Sequence, residues 1–254
     1  MNPVTKFCRL QWVMALFLVG VASAVRSEDV PSAAESVRQG RALAAELCSL
    51  RPGASSTNTG VLRLRDPKGR RREVPVTVVT LVGDDEWQVS YRATLTNGVT
   101  ETLTARYGSG APVYEVARVQ PGATLASPPK IIPAGGTAIP FAGSDFWVCD
   151  LGLEFLHWPN QRYLKEELSN GRVCQVLESV NPSTNGYARV LSYIDQEFKG
   201  LLSAKGFDSR GFVIKGFSTG NFVRVNGHWF LKDIRIRDDR TDTLTELLYT
   251  IPPE

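Results

Sequence analysis

WQVSYRATLTNGVTETLTARY, residues 87–107, decides how this chain folds. Trp87, Val89, Tyr91, Ala93 and Leu95 alternate with Gln88, Ser90, Arg92 and Thr94, so a strand here turns its apolar set to one face. Asn97-Gly98 supplies the positive φ angles of a tight hairpin, and Val99 to Tyr107 runs back. Outward from this hairpin the pattern recurs. Asp66 to Gly69, Asn170-Gly171, Asp195 to Gly200, Asp208 to Gly211 and Asn226-Gly227 each separate β-rich runs. Strands are expected near 60–66, 72–82, 86–96, 99–107, 112–118, 162–168, 172–180, 188–195, 200–208, 212–218, 221–226, 228–238 and 242–250. That many sequential antiparallel strands exceeds what one flat sheet carries, so the expected fold is mainly β, a strongly curved antiparallel sheet or incomplete β-barrel.

Two stretches interrupt the meander. Pro31 to Leu50 carries Val37, Leu43, Leu47 and Leu50 at helical spacing and reads as an N-terminal amphipathic helix, ended by Pro52-Gly53. Pro121 to Pro159 opens with Pro and Gly pairs that cannot continue a central strand. It then loads Phe146, Trp147, Leu151, Leu153, Phe155, Leu156 and Trp158 into a second helix, capped by Ser144 or Asp145. So long and aromatic a connection reads as a helical lid.

Residues 1–24 have the order of a secretory signal peptide: Lys6 and Arg9, an apolar run from Leu10 to Gly20, then Ala22-Ser23-Ala24 as a cleavage site. The expected mature chain, 25–254, is one domain working in the periplasm. It has no lipid-anchoring cysteine, since Cys8 precedes the apolar run and Cys48 lies far beyond it. Lys6 and Arg9 are two of the 29 basic residues, leaving 27 against 26 acidic, a balance that gives no reason to expect nucleic acid. Of Cys48, Cys149 and Cys174, the pair Cys149 with Cys174 is the expected disulfide, with three separate thiols as the alternative.

Chemical motifs are sparse. Gly216 to Gly220 spells G-x-S-x-G, but strand-like sequence follows, and Ser218, His228 and Asp233 stand in the wrong order for an α/β-hydrolase triad. His157 and His228 lie outside metal-ligand spacing from any cysteine or acid cluster. Asp150 and Glu154, four apart, read as one turn of a solvated helix face. No catalytic residue, metal or cofactor is therefore expected. Arg63, Arg65, Arg70, Arg71 and Arg72 gather on two adjacent strands and their turn, a candidate docking patch for anionic headgroups or an acidic partner.

Four stretches carry a resemblance: FAGSDFWVCDLGLEFLHWP at 141–159, GRVCQVLES at 171–179, YARVLSYIDQEFKGLLSAKGFDSRGFVIKGFS at 187–218, and VNGHWFLKDIRIRDD at 225–239. In wording and order they resemble the outer-membrane lipoprotein-sorting family, the LolA/LolB-like carriers, in its uncharacterised branch. The resemblance implies an incomplete barrel round helices, with an apolar cavity for acyl chains and transient membrane-bound donor or acceptor proteins as partners. Trp87, Tyr91, Phe146, Trp147, Phe155, Trp158, Phe217, Phe222 and Trp229 are the expected cavity and lid residues. A lipid-sensing or protein-interaction module of the same fold is the alternative, and an esterase-like hydrolase a third.

Overall fold

In the computed structural model, residues 32–123, 127–225 and 228–251 are described. The signal-peptide stretch 1–24 lies outside them, as do the Asn226-Gly227 turn and the side chain of Trp229. Helix α1 (Ala33–Ser49) opens where the Ser32 hydroxyl accepts the Glu35 N–H, the N-cap bond that satisfies one orphan donor. Six strands follow: β1 (Ser56–Arg65), β2 (Arg71–Val82), β3 (Trp87–Thr94), β4 (Thr100–Tyr107), β5 (Val113–Val119) and β6 (Lys130–Ile132). After a helical interruption come β7 (Asn160–Ser169), β8 (Arg172–Val180), β9 (Arg189–Asp195), β10 (Leu201–Phe207) and β11 (Val213–Thr219). The chain ends in β12 (Phe222–Val225), β13 (His228–Leu231), β14 (Asp233–Asp238) and β15 (Thr243–Tyr249).

Thirteen of these strands form one antiparallel sheet in the order β6-β5-β4-β3-β2-β1-β15-β14-β11-β10-β9-β8-β7, while β12 and β13 pair only with each other. The β1–β15 pairing joins the two ends of the chain, and β6 and β7 are left as the edges of an open sheet. The connection from β6 to β7, residues 133–159, therefore has to run from one edge to the other. It does so along the face that carries the period-2 apolar set: Val74, Val76 and Val78 of β2, Val89, Tyr91 and Ala93 of β3, and Leu103 and Ala105 of β4 are all buried beneath it. Strands β1–β6 and β14–β15 pack on this segment from one side and β8–β11 from the other, so that face is the concave one.

Helix α1 covers the other edge. It packs on β7, where a Cβ on Gly40 would stand 2.5 Å from the Arg162 and Tyr163 backbone, so only glycine permits the crossing. There Ser36 Oγ donates to the Tyr163 carbonyl, so the helix occupies an otherwise open strand edge.

Three expectations need correction. The stretch 228–238 is two strands, because the Lys232 N–H turns away to the Asn221 carbonyl at 2.8 Å and closes the β12–β13 hairpin before β14 rejoins the sheet. Strand β6, set between Pro128-Pro129 and Pro133, was not expected, but as an edge strand it can stand next to prolines. The long second helix is instead α2 (Val148–Leu151) and a separate 3-10 turn, Glu154–His157, broken at Gly152 and at Leu153 with φ 48°. The reason is packing: a single helix has one inward stripe, whereas this segment is apolar all round. The break lets Phe146, Val148 and Leu151 join the core under β2–β4, while Trp147, Cys149, Phe155, Leu156 and Trp158 join a second core under α1 and β8–β11.

Candidate ligand-binding face

The segment from Phe141 to Trp158 is a plug seated in the concave face, and three sets of polar contacts hold it there. The first is a tight loop at its entry. Ala142 and Gly143 take φ 52° and 66°, the Ala142 N–H donates to the buried Glu101 carboxylate at 2.8 Å, and Phe141 N–H reaches the Phe146 carbonyl. Asp145, expected as a helix cap, instead ties the loop to β15: its carboxylate accepts the Thr243 hydroxyl at 2.5 Å and the Thr245 hydroxyl at 2.7 Å. The N-cap of α2 is Trp147, and Asp150, three residues on, reaches back so that its carboxylate accepts the Trp147 N–H at 2.8 Å.

The second set satisfies the far end of α2. Tyr91, Tyr107 and Tyr114, one each on β3, β4 and β5, donate their hydroxyls to the carbonyls of Leu151 and Gly152 at 3.3, 3.0 and 3.4 Å. Burial raises all three phenols above their ordinary range, which keeps them protonated as donors. Gly152 has no room for a side chain, since a Cβ there would stand 2.3 Å from the Tyr114 ring.

The third set is a buried ion cluster, absent from the sequence expectations. Lys215 on β11 is only 2% exposed. Its ammonium donates to the Asp145 carbonyl, lies 3.9 Å from the Asp150 carboxylate and sits 3.6 Å from the centre of the Trp147 ring. Asp150 also accepts the Tyr187 hydroxyl at 2.7 Å. Directly across the ladder from Lys215, Asp238 is held by both arms of Arg240, at 2.5 and 3.0 Å. Burial raises Asp150 and lowers Lys215, in each case against the pull of the other's charge. For Asp238 burial pushes upward, yet the Arg240 hydrogen bonds leave it below the ordinary range.

Of the nine aromatic residues expected to line a cavity, Tyr91, Phe146, Trp147, Phe155, Trp158 and Phe217 are brought together between sheet and plug. They contact one another rather than open space: Phe146 meets Phe217 edge-on at 6.4 Å and Phe155 meets Trp158 at 6.5 Å. Trp87 lies at the margin, stacked on Tyr107 at 4.0 Å. Phe222 is not part of the face, because it stands 55% exposed on the separate β12–β13 hairpin. Asp150 and Glu154 do not share a helix face, since the break at Gly152 and Leu153 falls between them. Ser218 lies within β11, paired on both sides to antiparallel strands, so no strand-to-helix elbow forms at Gly216 to Gly220.

The five arginines divide by partner. Arg63 pairs with Glu73 at 2.9 Å and Arg70 with Asp66 at 2.6 Å, but Arg65, Arg71 and Arg72 have no carboxylate partner among the described residues. They surround a depression of about 380 Å³ beside the plug's entry loop.

The expected Cys149–Cys174 disulfide is corrected: all three described cysteines are free. On β8, Cys174 shares a face with Val176, whereas Leu177, one residue out of phase, packs in the core that contains Cys149. The two sulfurs therefore lie on opposite faces of the sheet. Burial is the first cause raising all three thiols, Cys48 to about 11. Native protein at neutral pH should accordingly show no fast thiol reaction with Ellman's reagent. Alkylation in denaturant without reductant should label all three, and labelling of Cys48 alone would restore the disulfide.

A family model described as an uncharacterized protein matches residues 126–251. No curated protein matches the chain. Among solved structures, a DUF1329 family protein from Desulfovibrio piger is similar over 85% of this chain and 91% of its own, at 16% identity and a TM-score of 0.69. A domain from Vibrio parahaemolyticus, described as an outer membrane lipoprotein-sorting protein, is similar over 85% and 92%, at 19% identity and 0.69. A LolA superfamily protein from Nitrosomonas europaea is similar over 84% and 91%, at 16% identity and 0.58. The TM-scores show a shared fold, and at identities this low they show the fold alone.

Proposed function

We propose, on the premise that this chain has the fold of LolA-superfamily proteins, that it is a periplasmic carrier or binder of lipophilic cargo, with lipoprotein acyl chains as the cargo class. The observation that carries the reading is the plug: the apolar concave face of an open sheet is covered by a segment that belongs to neither edge and is anchored by its own polar contacts. Cargo would replace the plug as α1 and residues 137–158 shift, and would leave for an acceptor that offers a better apolar site. The exchange is close to balanced. Phe141, Phe146, Val148, Leu151, Phe155 and Leu156 give about 1.5–3 kcal/mol each when buried. An acyl chain gives about 0.8 kcal/mol per methylene, so a chain of roughly a dozen or more carbons can take their place. Transfer then needs no nucleotide and no catalytic residue. Export by the stretch at 1–24, which reads as a signal peptide, would put the carrier between two membranes; none of the described helices is long and apolar enough to cross a membrane.

The exposed Phe222 on the β12–β13 hairpin supports the second reading, a lipid-sensing module that binds a protein partner. Mass spectrometry of protein taken gently from its native periplasm tests the first. A near-stoichiometric lipid or acylated peptide is expected. Protein that carries none and takes up no acylated peptide in vitro overturns the carrier.

A further inference from the structure

We propose that Arg65, Arg71 and Arg72 form a binding site for a phosphate oxyanion at the turn end of the β1–β2 hairpin. Arg65 and Arg71 are direct partners in the antiparallel ladder, two like charges facing each other across adjacent strands. Such a pair is destabilising unless something neutralises it. Neither lateral neighbour does so: on the far side of Arg65 stands Leu244, and the nearby Glu246 is already held by Arg235 at 3.1 Å. The contrast with the same surface is sharp, because Arg63, Arg70, Arg235, Arg237 and Arg240 each have a carboxylate within 3.1 Å. In addition, the Arg65 Nε is shielded from solvent and has no acceptor, although a guanidinium N–H taken out of water costs free energy when unpaired.

These donors surround a defined depression. Arg65, Arg70, Arg71 and Arg72 line about 380 Å³ together with Gly143 and Thr243. Its two acids are already engaged. Asp66 accepts the backbone N–H of Lys68 and Arg70 and the Arg70 side chain, and Asp145 accepts the hydroxyls of Thr243 and Thr245. What remains is three guanidinium groups with no acceptor among the described residues, Arg65 and Arg71 reaching the depression from one face of the sheet and Arg72, one residue on, from the other. A planar carboxylate accepts in one plane, whereas a tetrahedral phosphate offers oxygens in several directions and matches the arginine forks. The ligand is therefore a phosphoryl group, supplied by a free phosphorylated solute or by an anionic lipid headgroup. The site stands whether or not the concave face carries lipid.

The test uses purified protein with two probes, inorganic phosphate in a calorimetric titration and vesicles of phosphatidylglycerol in flotation, with phosphatidylcholine vesicles as the neutral control. Binding to at least one probe is expected, and Arg65→Gln with Arg71→Gln should weaken it about tenfold or more. The paired Arg63→Gln removes the same charge from the same sheet and should change it less than about twofold. Phosphate binding alone assigns a soluble ligand, and phosphatidylglycerol binding alone assigns a headgroup. The double variant should melt at or above the wild-type temperature, since it relieves a like-charge pair. Arg72→Gln, at an exposed position, repeats the test without touching that pair. Binding to neither probe, or equal loss in Arg63→Gln, overturns the site.

Discussion

Asp150→Ala should destabilise the protein by about 3–5 kcal/mol, because it strands a buried ammonium. Asp150 is 3% exposed and Lys215 2%, so neither charge can turn to water when its partner is removed. The substitution also orphans the Trp147 N–H and the Tyr187 hydroxyl, which now donate to the carboxylate. A buried pair of this kind gains little over an apolar replacement, since desolvation offsets most of the attraction. Hence Asp150→Asn with Lys215→Met should cost much less than Asp150→Ala alone, the amide oxygen keeping an acceptor for the Trp147 N–H, the amide NH2 donating to the Tyr187 hydroxyl, and Asp238 keeping Arg240. The pH dependence has a definite sign. Burial raises the folded carboxyl of Asp150, so its contribution is full below the ordinary carboxylate range and is lost as pH rises from there through the raised folded value. Asp150→Asn should remove that decline. Chemical denaturation of the single and double variants across acidic pH reads both effects, and a double variant as unstable as Asp150→Ala would show that the cluster is not one coupled unit.

The cluster also marks where sequence stops being legible. Strands and turns were readable because each depends on neighbours in the chain: Gly98, Gly171 and Gly211 all take positive φ where the Asn-Gly and Asp-to-Gly turns required it. The alternation of Trp87 to Leu95 likewise fixed which face is inward. Lys215 could not be read that way. It stands two residues from Phe217 on β11 and looks like an ordinary solvated lysine, and its partners come from the plug's entry loop, from α2 and its N-cap, and from β14. The tyrosines were half legible: Tyr91 was expected on the inner face, but a hydroxyl donated to the end of a helix 60 residues away has no local signature. The break of the second helix belongs to the same class. Only the presence of two separate cores explains it, and the sequence displays one apolar run.

Phe146→Ala carries the other large effect, about 3–5 kcal/mol, from a side chain with no exposed surface whose removal leaves a cavity against Phe217. Where that loss is felt decides what the plug is. The strands beneath it are tied to one another by continuous antiparallel ladders from β6 to β7, whereas residues 141–158 pair with the sheet by no ladder and rest on side-chain contacts. A displaceable plug should therefore open locally, at a cost below that of unfolding the sheet. In Phe146→Ala, hydrogen exchange should accelerate across 137–158 while the amides of β2–β4 keep their protection, and the amount of bound lipid or apolar fluorophore should rise, because the cargo now competes with a weaker occupant. If the segment is instead permanent core, exchange will accelerate in plug and strands together and ligand uptake will not increase. That outcome would remove the carrier mechanism while leaving the fold intact, since the same buried phenylalanine would then be serving only the stability of the sheet.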